Sequence, residues 1–253
     1  MKFSIIIPSY NQDKYIEQTF KNLSELKKAA LQRGFEIELL LFDSCSNDKV
    51  QAIIKRYNSI FDYVDISKDK GQSDAINKGI TKITGSYWTW LNTDDYINIE
   101  GFLKLATILS KNNSIDYIYG GITIIDEYDQ LIRNAYSYKL SMNHLLHWDP
   151  AIFQPGSFFK KDFTDKIGLL SDQYCACFDY EYILRLFINN AKFHRCDFIL
   201  AQFRYYDNSK SGSIVPTFIK EQLKISKIYG RRLHSYMTIF LNLRLIKHWL
   251  FPK

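Results

Sequence analysis

The first 120 residues alternate between short apolar runs and stretches in which apolar residues recur at helical spacing. A strand buried on both faces reads as a near-continuous apolar run, whereas a helix packed on a sheet shows apolar residues three and four positions apart. The pattern predicts strands over residues 3–8, 36–42, 63–66, 86–91 and 116–119, and helices over residues 12–30, 48–57, 73–81 and 99–110. This alternation favours an α/β fold, with a mostly parallel central sheet and helices on both of its faces.

The second half of the chain has a less regular pattern. It predicts a hairpin from strands 121–125 and 131–134, helices over 141–148 and 178–189, a strand over 198–204 and a loop over 207–216. Residues 234–250 predict a C-terminal amphipathic helix, because Ile239, Leu243, Ile246 and Leu250 fall on one stripe. We therefore expect a domain over residues 1–215, with halves 1–120 and 121–215, and a basic helical tail over 216–253.

Length and composition narrow the class of protein. The 253 residues are 46% hydrophobic, which is enough to bury the core of one or two domains. No apolar run reaches the length of about 18 residues that spans a bilayer as a helix. Met1 and Lys2 lead straight into the first strand, without the features of a secretory signal. The four cysteines lack the spacing of a zinc site and favour reduced thiols, so we expect a cytoplasmic protein.

The positive charge of the chain is concentrated at its C-terminal end. The net charge is +6, of which residues 220–253 carry +7 and residues 1–219 carry −1. This distribution argues against nucleic acid as a partner and indicates one local anionic partner. Together with the amphipathic helix, it favours contact of residues 220–253 with an anionic membrane surface, peripherally on the inner face of the cytoplasmic membrane. A helix packed on the domain, or a dimer contact, is the alternative.

Two adjacent carboxylates, Asp94 and Asp95, directly follow the aromatic strand 86–91. Neighbouring acids at the end of a buried strand repel each other and lose hydration, and a cation relieves both costs. Mg²⁺ in proteins is typically held by one or two carboxylates together with the phosphates of a substrate. The pair therefore predicts a metal–diphosphate site, with an acidic turn as the structural alternative.

Polar residues follow three other predicted strands at the same edge of the sheet. They are Ser9-Tyr10-Asn11, Asp43-Ser44 and Asp69-Lys70-Gly71, and the fourth group is 92–95. Open α/β sheets bind their ligands beyond the carboxyl ends of the strands, so these groups predict one ligand site. Neither Gly-x-Gly-x-x-Gly nor Gly-Lys-Ser/Thr follows the first strand, which argues against a dinucleotide-binding fold and a P-loop.

A series of motifs continues this pattern over residues 3–212. The motifs are Pro8-Ser9-Tyr10-Asn11, Asp43-x-x-Ser46-x-Asp48, and residues 69–79, 90–95, 154–159 and 178–181. In type and order they resemble the family 2 glycosyltransferases with the GT-A fold, of the type that assembles bacterial polysaccharide, O-antigen and capsule. The chain departs from these relatives at Tyr206, where they often carry His.

The resemblance implies a Rossmann-like nucleotide-binding half over residues 1–120 and an acceptor half with the catalytic base over 121–215. It implies an inverting, metal-dependent glycosyltransferase acting in cell-surface polysaccharide biosynthesis. Such an enzyme moves a sugar from a nucleotide-diphosphate sugar, with a UDP-sugar favoured, to a hydroxyl of a glycan or lipid-linked glycan. Two alternatives stay open: a catalytically silent sugar-nucleotide-binding or scaffold protein of the same fold, and a nucleotidyltransferase.

On the donor side, the resemblance implies that Asp95 is the main ligand of Mn²⁺ or Mg²⁺, while Asp94 reaches the metal or the ribose. Asp43 is expected to accept a hydrogen bond from an N–H of the base. The other residues implied near the nucleotide are Pro8, Ser9, Tyr10, Asn11, Lys70, Gly71 and Asp74. A turn role for Asp43 and a helix N-terminal role for Asp74 are the structural alternatives.

On the acceptor side, the resemblance implies Asp179 as the general base that takes the proton of the acceptor hydroxyl, with Glu181 as its rival. Glu181 can instead pair with Arg185 at i,i+4 spacing. Trp148 and Gln154 are expected to line the acceptor side or, alternatively, to form a structural turn.

Overall fold

The computed structural model describes residues 1–148, 153–206 and 215–250, with side chains up to residue 246 in the last range. The strands of the described chain are β1 (Lys2–Ser9), β2 (Glu36–Asp43), β3 (Tyr63–Ile66), β4 (Tyr87–Trp90), β5 (Tyr96–Ile97), β6 (Tyr117–Ile125), β7 (Leu131–Ala135), β8 (Ser157–Lys160) and β9 (Phe193–Arg204). Its helices are α1 (Ile16–Gln32), α2 (Asp48–Tyr57), α3 (Gln72–Ile80), α4 (Ile99–Lys111), α5 (Met142–His147), α6 (Lys161–Ile167), α7 (Phe178–Ile188), α8 (Val215–Ile228) and α9 (Tyr236–Leu250).

These strands form one sheet in the order β3-β2-β1-β4-β8-β6-β9-β5, with β7 paired to β6. β3, β2, β1 and β4 are parallel neighbours, and β6 is parallel to β9. β8 is antiparallel to both β4 and β6. β5 is antiparallel to β9, and β7 is antiparallel to β6. Most strands therefore run in one direction, which confirms the predicted mostly parallel sheet.

The core consists of two apolar layers, because successive residues of a strand point to opposite faces of the sheet. Ile5 and Ile7 of β1 join a cluster with apolar residues of α1, α2 and α4. Ile6 joins a cluster on the other face with α3, α5 and α7. The predicted arrangement of helices on both faces is confirmed.

Two glycines allow α3 to lie close against the sheet. Gly71, the residue before the helix, has φ of +126°, a conformation that side chains with a Cβ rarely adopt. A Cβ added to Gly79 would lie 2.6 Å from Cγ2 of Ile6, which is closer than two such atoms can approach. At the beginning of α3, Nε2 of Gln72 donates a hydrogen bond to Oδ1 of Asn92, just after β4, at 2.6 Å.

A buried carboxylate joins three segments at the opposite edge of the sheet. Glu38 of β2 accepts hydrogen bonds from Nζ of Lys2 at 3.0 Å, Oγ of Ser4 at 2.6 Å and N of Thr84 at 2.8 Å. Burial raises the pKa of Glu38, but these hydrogen bonds outweigh it, and the net pKa is lowered. The ionised carboxylate is therefore favoured by folding.

The second half differs from the prediction in the extent of its elements. The strands predicted at 116–119 and 121–125 form one strand, β6, and β9 begins at Phe193 instead of residue 198. Three elements were not predicted, because they are short and carry little periodicity: β8 and α6 in this half, and β5 in the first half. The predicted loop over 207–216 lies almost entirely outside the described residues.

In the described part of the chain, the basic tail contains two helices, α8 and α9. Ile225 of α8 belongs to the same apolar cluster as Trp88 of β4, so α8 packs on the sheet domain. α9 packs across α8, where Met237 and Leu241 contact Ile219. The predicted boundary at residue 215 stays a prediction. Over the described residues, no helix has both the length and the apolarity to cross a membrane.

Candidate active site

A cavity of about 930 Å³ opens at the carboxyl ends of β1 to β4. Its wall includes residues 8–10, 44–45, 68–73 and 92–94, which follow those four strands, together with 203–204 at the end of β9. Pockets for small molecules usually measure about 300–1,000 Å³. All four predicted groups of polar residues thus contribute to one site of suitable size.

Six of the predicted site residues line this cavity: Pro8, Ser9, Tyr10, Lys70, Gly71 and Asp94. Lys68, which was not predicted, also lies in the wall. The wall therefore combines two lysines, Lys68 and Lys70, with three aspartates, Asp69, Asp94 and Asp172. A diphosphate requires positive charge of the kind that the two lysines carry.

The carboxylates of Asp94 and Asp95 have different surroundings. Oδ2 of Asp94 accepts a hydrogen bond at 3.0 Å from the hydroxyl of Tyr206, which also lines the cavity. Asp95 has no exposed surface, and its oxygens accept hydrogen bonds from N of Arg204 at 3.0 Å and Nδ2 of Asn92 at 3.2 Å. Of the two acids, Asp94 borders the described wall of the cavity and Asp95 lies behind it.

Both carboxyl groups have raised pKa values. Burial is the main cause for Asp94, and the hydrogen bond from Tyr206 and the charge of Arg204 partly offset it. Burial also raises the pKa of Asp95 well above its usual value, and the nearby charge of Asp94 raises it further. Any cation that enters beside the pair would favour its ionised form.

A buried arginine holds the turn that carries the two acids. The side chain of Arg204, at the end of β9, has no exposed surface, and its guanidinium lies 4.2 Å from the ring centre of Tyr15. It donates hydrogen bonds to the backbone oxygens of Asp94 at 3.2 Å and Asp126 at 2.9 Å. It also donates to Oη of Tyr96 at 2.6 Å and to Oδ1 of Asp129 at 2.6 Å. Sequence reasoning gave Arg204 no role, because Arg204 is 109 residues from Asp95 along the chain.

Tyr206 links the acidic turn to the end of β1. Its hydroxyl accepts a hydrogen bond from Nε2 of Gln12 at 2.9 Å while it donates to Asp94. Burial raises the pKa of Tyr206, and the charge of Asp94 raises it further, so the phenol keeps its proton. The departure from His at this position therefore leaves a neutral hydrogen-bond donor on the cavity-facing carboxylate.

Asp43 is buried, and both of its oxygens have protein partners. They accept hydrogen bonds from Oγ of Ser9 at 2.8 Å, Oγ of Ser46 at 2.6 Å, N of Ser46 at 2.8 Å and Nε2 of Gln51 at 2.6 Å. These contacts are the ones expected for the structural alternative, in which Asp43 holds the turn after β2. The cavity wall beside it is formed by Ser9 and Ser44.

Asn11 and Asp74 also make contacts that organise the loops. Asn11 has φ of +50°, donates from its N to Oγ of Ser46 at 2.8 Å, and accepts at Oδ1 from N of Asn47 at 2.9 Å. Asp74, in the first turn of α3, accepts from N of Lys70 at 3.1 Å. Both therefore shape the wall of the cavity from behind.

Asp179 lies in the first turn of α7 and is partly buried. Its Oδ1 accepts a hydrogen bond from N of Tyr180 at 2.7 Å. The loop that leads into α7 supplies Asp172, Tyr174 and Cys175 to the cavity wall. The helix of the predicted base therefore begins beside the cavity that Asp94 borders.

Glu221 of α8 anchors the beginning of α7. Its carboxylate accepts hydrogen bonds from N of Cys175 at 3.0 Å, Ala176 at 2.9 Å and Cys177 at 3.0 Å. Burial raises the pKa of Glu221, but these three hydrogen bonds outweigh it and the net pKa is lowered. Backbone N–H groups before a helix are unsatisfied within the helix itself, so an acid from a neighbouring helix is a strong partner.

The remaining acceptor-side residues lie away from the described cavity wall. Glu181 is buried and pairs with Nε of Arg185 at 2.9 Å, as the i,i+4 alternative predicted, and it accepts from the hydroxyl of Tyr229 at 2.7 Å. Gln154 is buried and donates to Trp90 O at 2.8 Å. Trp148 is half exposed and stacks on Tyr236 of α9, with 5.6 Å between ring centres.

The family model described as Glycosyl transferase family 2 matches residues 4–168, which is more than half of the chain. The chain belongs to glycosyl transferase family 2. The resemblance inferred from the motifs is thereby confirmed, and membership makes the protein a glycosyltransferase by class.

Curated relatives of this family 2 chain match parts of longer proteins. The poly(ribitol-phosphate) β-N-acetylglucosaminyltransferase TarS of Staphylococcus aureus is 29% identical over 118 residues, which are 45% of this chain and 20% of TarS. An uncharacterized glycosyltransferase of Haemophilus influenzae is 22% identical over 191 residues, which are 72% of this chain and 61% of that protein. The chain thus spans about a fifth of TarS and less than two thirds of the other relative.

Solved structures share the fold of this family 2 chain. The structure of S. aureus TarS 1–349 in complex with UDP-GlcNAc has a TM-score of 0.67 at 17% identity, and the match covers 99% of this chain and 73% of that one. A mannosyltransferase from Pyrobaculum calidifontis in complex with GDP-Man and Mn²⁺ has a TM-score of 0.65 at 12% identity, covering 97% and 69%. The predicted GT-A fold is confirmed.

The donor set of the cavity fits a divalent cation that a substrate helps to hold. The described residues contain no group of three or more His, Cys, Asp or Glu side chains that could hold a metal alone. The cavity does present Asp94, with its raised pKa, and Asn92. Mg²⁺ sites often use only one or two carboxylates, with phosphates and water completing the shell, and Mn²⁺ accepts the same oxygen ligands.

Proposed function

We propose that this family 2 glycosyltransferase is an inverting, metal-dependent enzyme of cell-surface polysaccharide biosynthesis. It transfers a hexose or an N-acetylhexosamine from a nucleotide-diphosphate sugar to a hydroxyl of a glycan or lipid-linked glycan. The supporting observation is one cavity bordered both by Asp94, whose carboxylate is desolvated, and by the loop that leads into the helix of Asp179. A UDP-sugar is the favoured donor, since the TarS fold neighbours were solved with UDP-GlcNAc and with UDP.

On the donor side, the side chains of Lys68 and Lys70 bind the diphosphate. Asp94 and Asn92 hold Mn²⁺ or Mg²⁺, which when bound supplies positive charge to the departing diphosphate. The sequence favoured Asp95 as the main ligand. We now favour Asp94, because it lines the cavity, whereas Asp95 has no exposed surface and accepts hydrogen bonds from Arg204 and Asn92.

The nucleoside lies against the ends of β1 and β2, beside Pro8, Ser9 and Tyr10. Asp43 keeps its predicted role towards the base through one of its oxygens. To accept the base N–H, that oxygen must exchange a donor such as Oγ of Ser9, which is 2.8 Å away. Asn11 and Asp74 act behind the wall, by holding the loops that contact the nucleotide.

On the acceptor side, Asp179 is the general base. The acceptor oxygen attacks the anomeric carbon, its proton passes to the Asp179 carboxylate, and the bond from the anomeric carbon to the phosphate oxygen breaks. The nucleoside diphosphate leaves from the opposite face, so the configuration inverts. Glu181 is a weaker candidate for the base, because Arg185 and Tyr229 occupy its carboxylate. Trp148 and Gln154 stay weak acceptor-side candidates.

Thermal-shift screening of UDP-, GDP-, dTDP- and CMP-sugars with and without Mn²⁺ tests the donor and the metal. We expect stabilisation that requires both the nucleotide sugar and Mn²⁺, and no stabilisation by any of them would contradict the proposal. Release of pyrophosphate instead of a nucleoside diphosphate would indicate a nucleotidyltransferase.

Asp179→Asn tests the base. We expect loss of transfer with donor binding unchanged, while Asp165→Asn, at an exposed acid of α6, keeps both. Turnover by Asp179→Asn at the wild-type rate would refute the assignment. Donor binding by the wild-type protein without turnover on any glycan acceptor would favour the silent binding protein. The enzyme is proposed to work in the cytoplasm, at the membrane face where it meets lipid-linked acceptors.

A further inference from the structure

Helix α9 has two apolar faces, and only one of them is packed. Met237 and Leu241 are buried against Ile219 of α8, and Leu245 packs partly against the same cluster. A second set of apolar residues on α9 is exposed to about half or more of its surface: Tyr236, Ile239, Phe240, Leu243 and Ile246. We call this set the exposed α9 face. It contains the three described residues of the stripe that the sequence pattern predicted.

The exposed α9 face is continuous. At 3.6 residues per turn, its five residues fall within an arc of about 120°. The ring of Tyr236 stacks on Phe240 at 5.7 Å and on Trp148 at 5.6 Å, so the aromatic surface extends beyond the helix to the end of α5. Apolar patches of this kind on a folded protein indicate a binding surface.

The residues around the exposed α9 face are basic. Arg232, His234 and Arg244 are exposed beside it. Residues 215–253 contain one acid, Glu221, whose carboxylate is occupied by three backbone N–H groups at the beginning of α7. The outward side of α9 is therefore apolar with exposed arginines beside it, and residues 215–253 offer no second acid to balance them.

We propose that the exposed α9 face and its basic neighbours bind an anionic lipid surface, with α9 lying in the plane of the interface. Arg244 falls at the edge of the apolar arc, as in interfacial helices that place Lys and Arg beside the buried stripe. The rings of Tyr236 and Trp148 suit the headgroup region, because they are apolar with a polar edge. With 15 residues, α9 is too short to cross a bilayer.

A lipid surface fits better than a second copy of the chain. A symmetric dimer through this face would bring two patches of the same positive charge together, and like charges across an interface weaken association. An anionic leaflet instead pairs with each of them. This proposal extends the proposed function. It rests on that function in one respect, which is that a lipid-linked acceptor would lie at the same membrane surface.

Co-sedimentation with vesicles tests the proposal without any substrate. We expect the wild-type protein to bind vesicles of phosphatidylglycerol and phosphatidylcholine at least ~10-fold more tightly than vesicles of phosphatidylcholine alone, and to be released by high salt. Leu243→Asp should reduce binding about 10-fold or more by removing apolar contact and adding repulsion. Arg244→Glu should reduce binding to the anionic vesicles specifically.

Two variants at exposed positions elsewhere are the matched controls. Leu31→Asp changes a leucine of α1 that is 69% exposed, compared with 62% for Leu243, and Lys104→Glu makes the same charge reversal on α4. Both should bind vesicles like the wild type. Equal binding by Leu243→Asp and Leu31→Asp, or equal binding to both vesicle types, would overturn the proposal.

Light scattering after size exclusion separates the lipid from a second copy. A wild-type dimer that Leu243→Asp converts to a monomer, with no vesicle binding, would assign the face to self-association and refute the lipid surface. Metal-dependent binding of a nucleotide sugar, measured without vesicles, should be the same for all four variants. Its absence from the wild type would count against the proposed function and leave the vesicle result unaffected.

Discussion

Arg204→Met removes the guanidinium that holds the acidic turn and keeps most of the side-chain volume. Three partly buried acceptors, the carbonyls of Asp94 and Asp126 and the hydroxyl of Tyr96, lose a charged donor. A hydrogen bond to a charged group contributes about 1.5–3 kcal/mol. The contact with Asp129 adds little, because that carboxylate is 55% exposed.

The sum of three such bonds overstates the loss of stability. Folding of the variant no longer removes a charged guanidinium from water, and this offsets part of the loss. Breaking a buried charged network typically costs about 3–5 kcal/mol, and we expect a loss of this size in the free energy of unfolding. Domains are usually stable by only about 5–15 kcal/mol, so the loss should be plain in urea unfolding followed by circular dichroism.

Arg133→Met is the matched control, since Arg133 is exposed on the edge strand β7. It should change the unfolding free energy by no more than about 0.5 kcal/mol. Arg204→Lys keeps the charge but not the planar set of donors, so its unfolding free energy should lie between those of Arg204→Met and Arg133→Met. If Arg204→Met lost less than about 1 kcal/mol, the reasoning that Arg204 supports the turn would be refuted.

Three further predictions concern stability and the metal. Glu38→Gln should lower the unfolding free energy by about 1–2 kcal/mol at neutral pH, and exposed Glu36→Gln should not. Folding lowers the pKa of Glu38. The stability that its carboxylate contributes is therefore present above the pKa of the unfolded chain and is lost as the pH falls through the pKa of the folded protein. The unfolding free energies of wild type and Glu38→Gln should converge in urea titrations at acid pH. Gly79→Ala should cost about 1–3 kcal/mol, because its Cβ would overlap Ile6, and an unchanged melting temperature would contradict the close packing. The raised pKa of Asp94 makes protons compete with a cation. Stabilisation by Mn²⁺ together with a nucleotide sugar should therefore grow as the pH rises through the pKa of Asp94, and it should vanish with EDTA or in Asp94→Asn. A pH-independent shift would argue against Asp94 as ligand.

The strands β1, β2 and β4 could be predicted from the sequence because each is buried on both faces and must be apolar throughout. β5 and β8 could not. β5 has two residues, and β8 pairs with β4 and β6, which are far from it along the chain. Such short strands are stabilised by the strands with which they pair, and the local sequence pattern does not show which strands those are.

The location of the site could also be predicted, because the carboxyl ends of parallel strands meet at one edge of the sheet. The roles of neighbouring residues within it could not. Asp94 and Asp95 are chemically identical, and the acid that faces the cavity is decided by Arg204, whose N binds Asp95 and whose guanidinium binds the carbonyl of Asp94.

The amino-acid sequence by itself determined the strands β1 to β4 and the helices between them, the polar groups at the strand ends, and the apolar and basic character of the last helix. These properties follow from the periodicity and chemistry of residues that are close along the chain. The tertiary structure alone decided that Asp94 faces the cavity, that Glu221 anchors α7, and that the Met237 side of α9 is packed while the Leu243 side is exposed. Each of these depends on a contact between segments far apart in the chain, and the energy of such a contact is set by burial and geometry that exist only once the chain has folded.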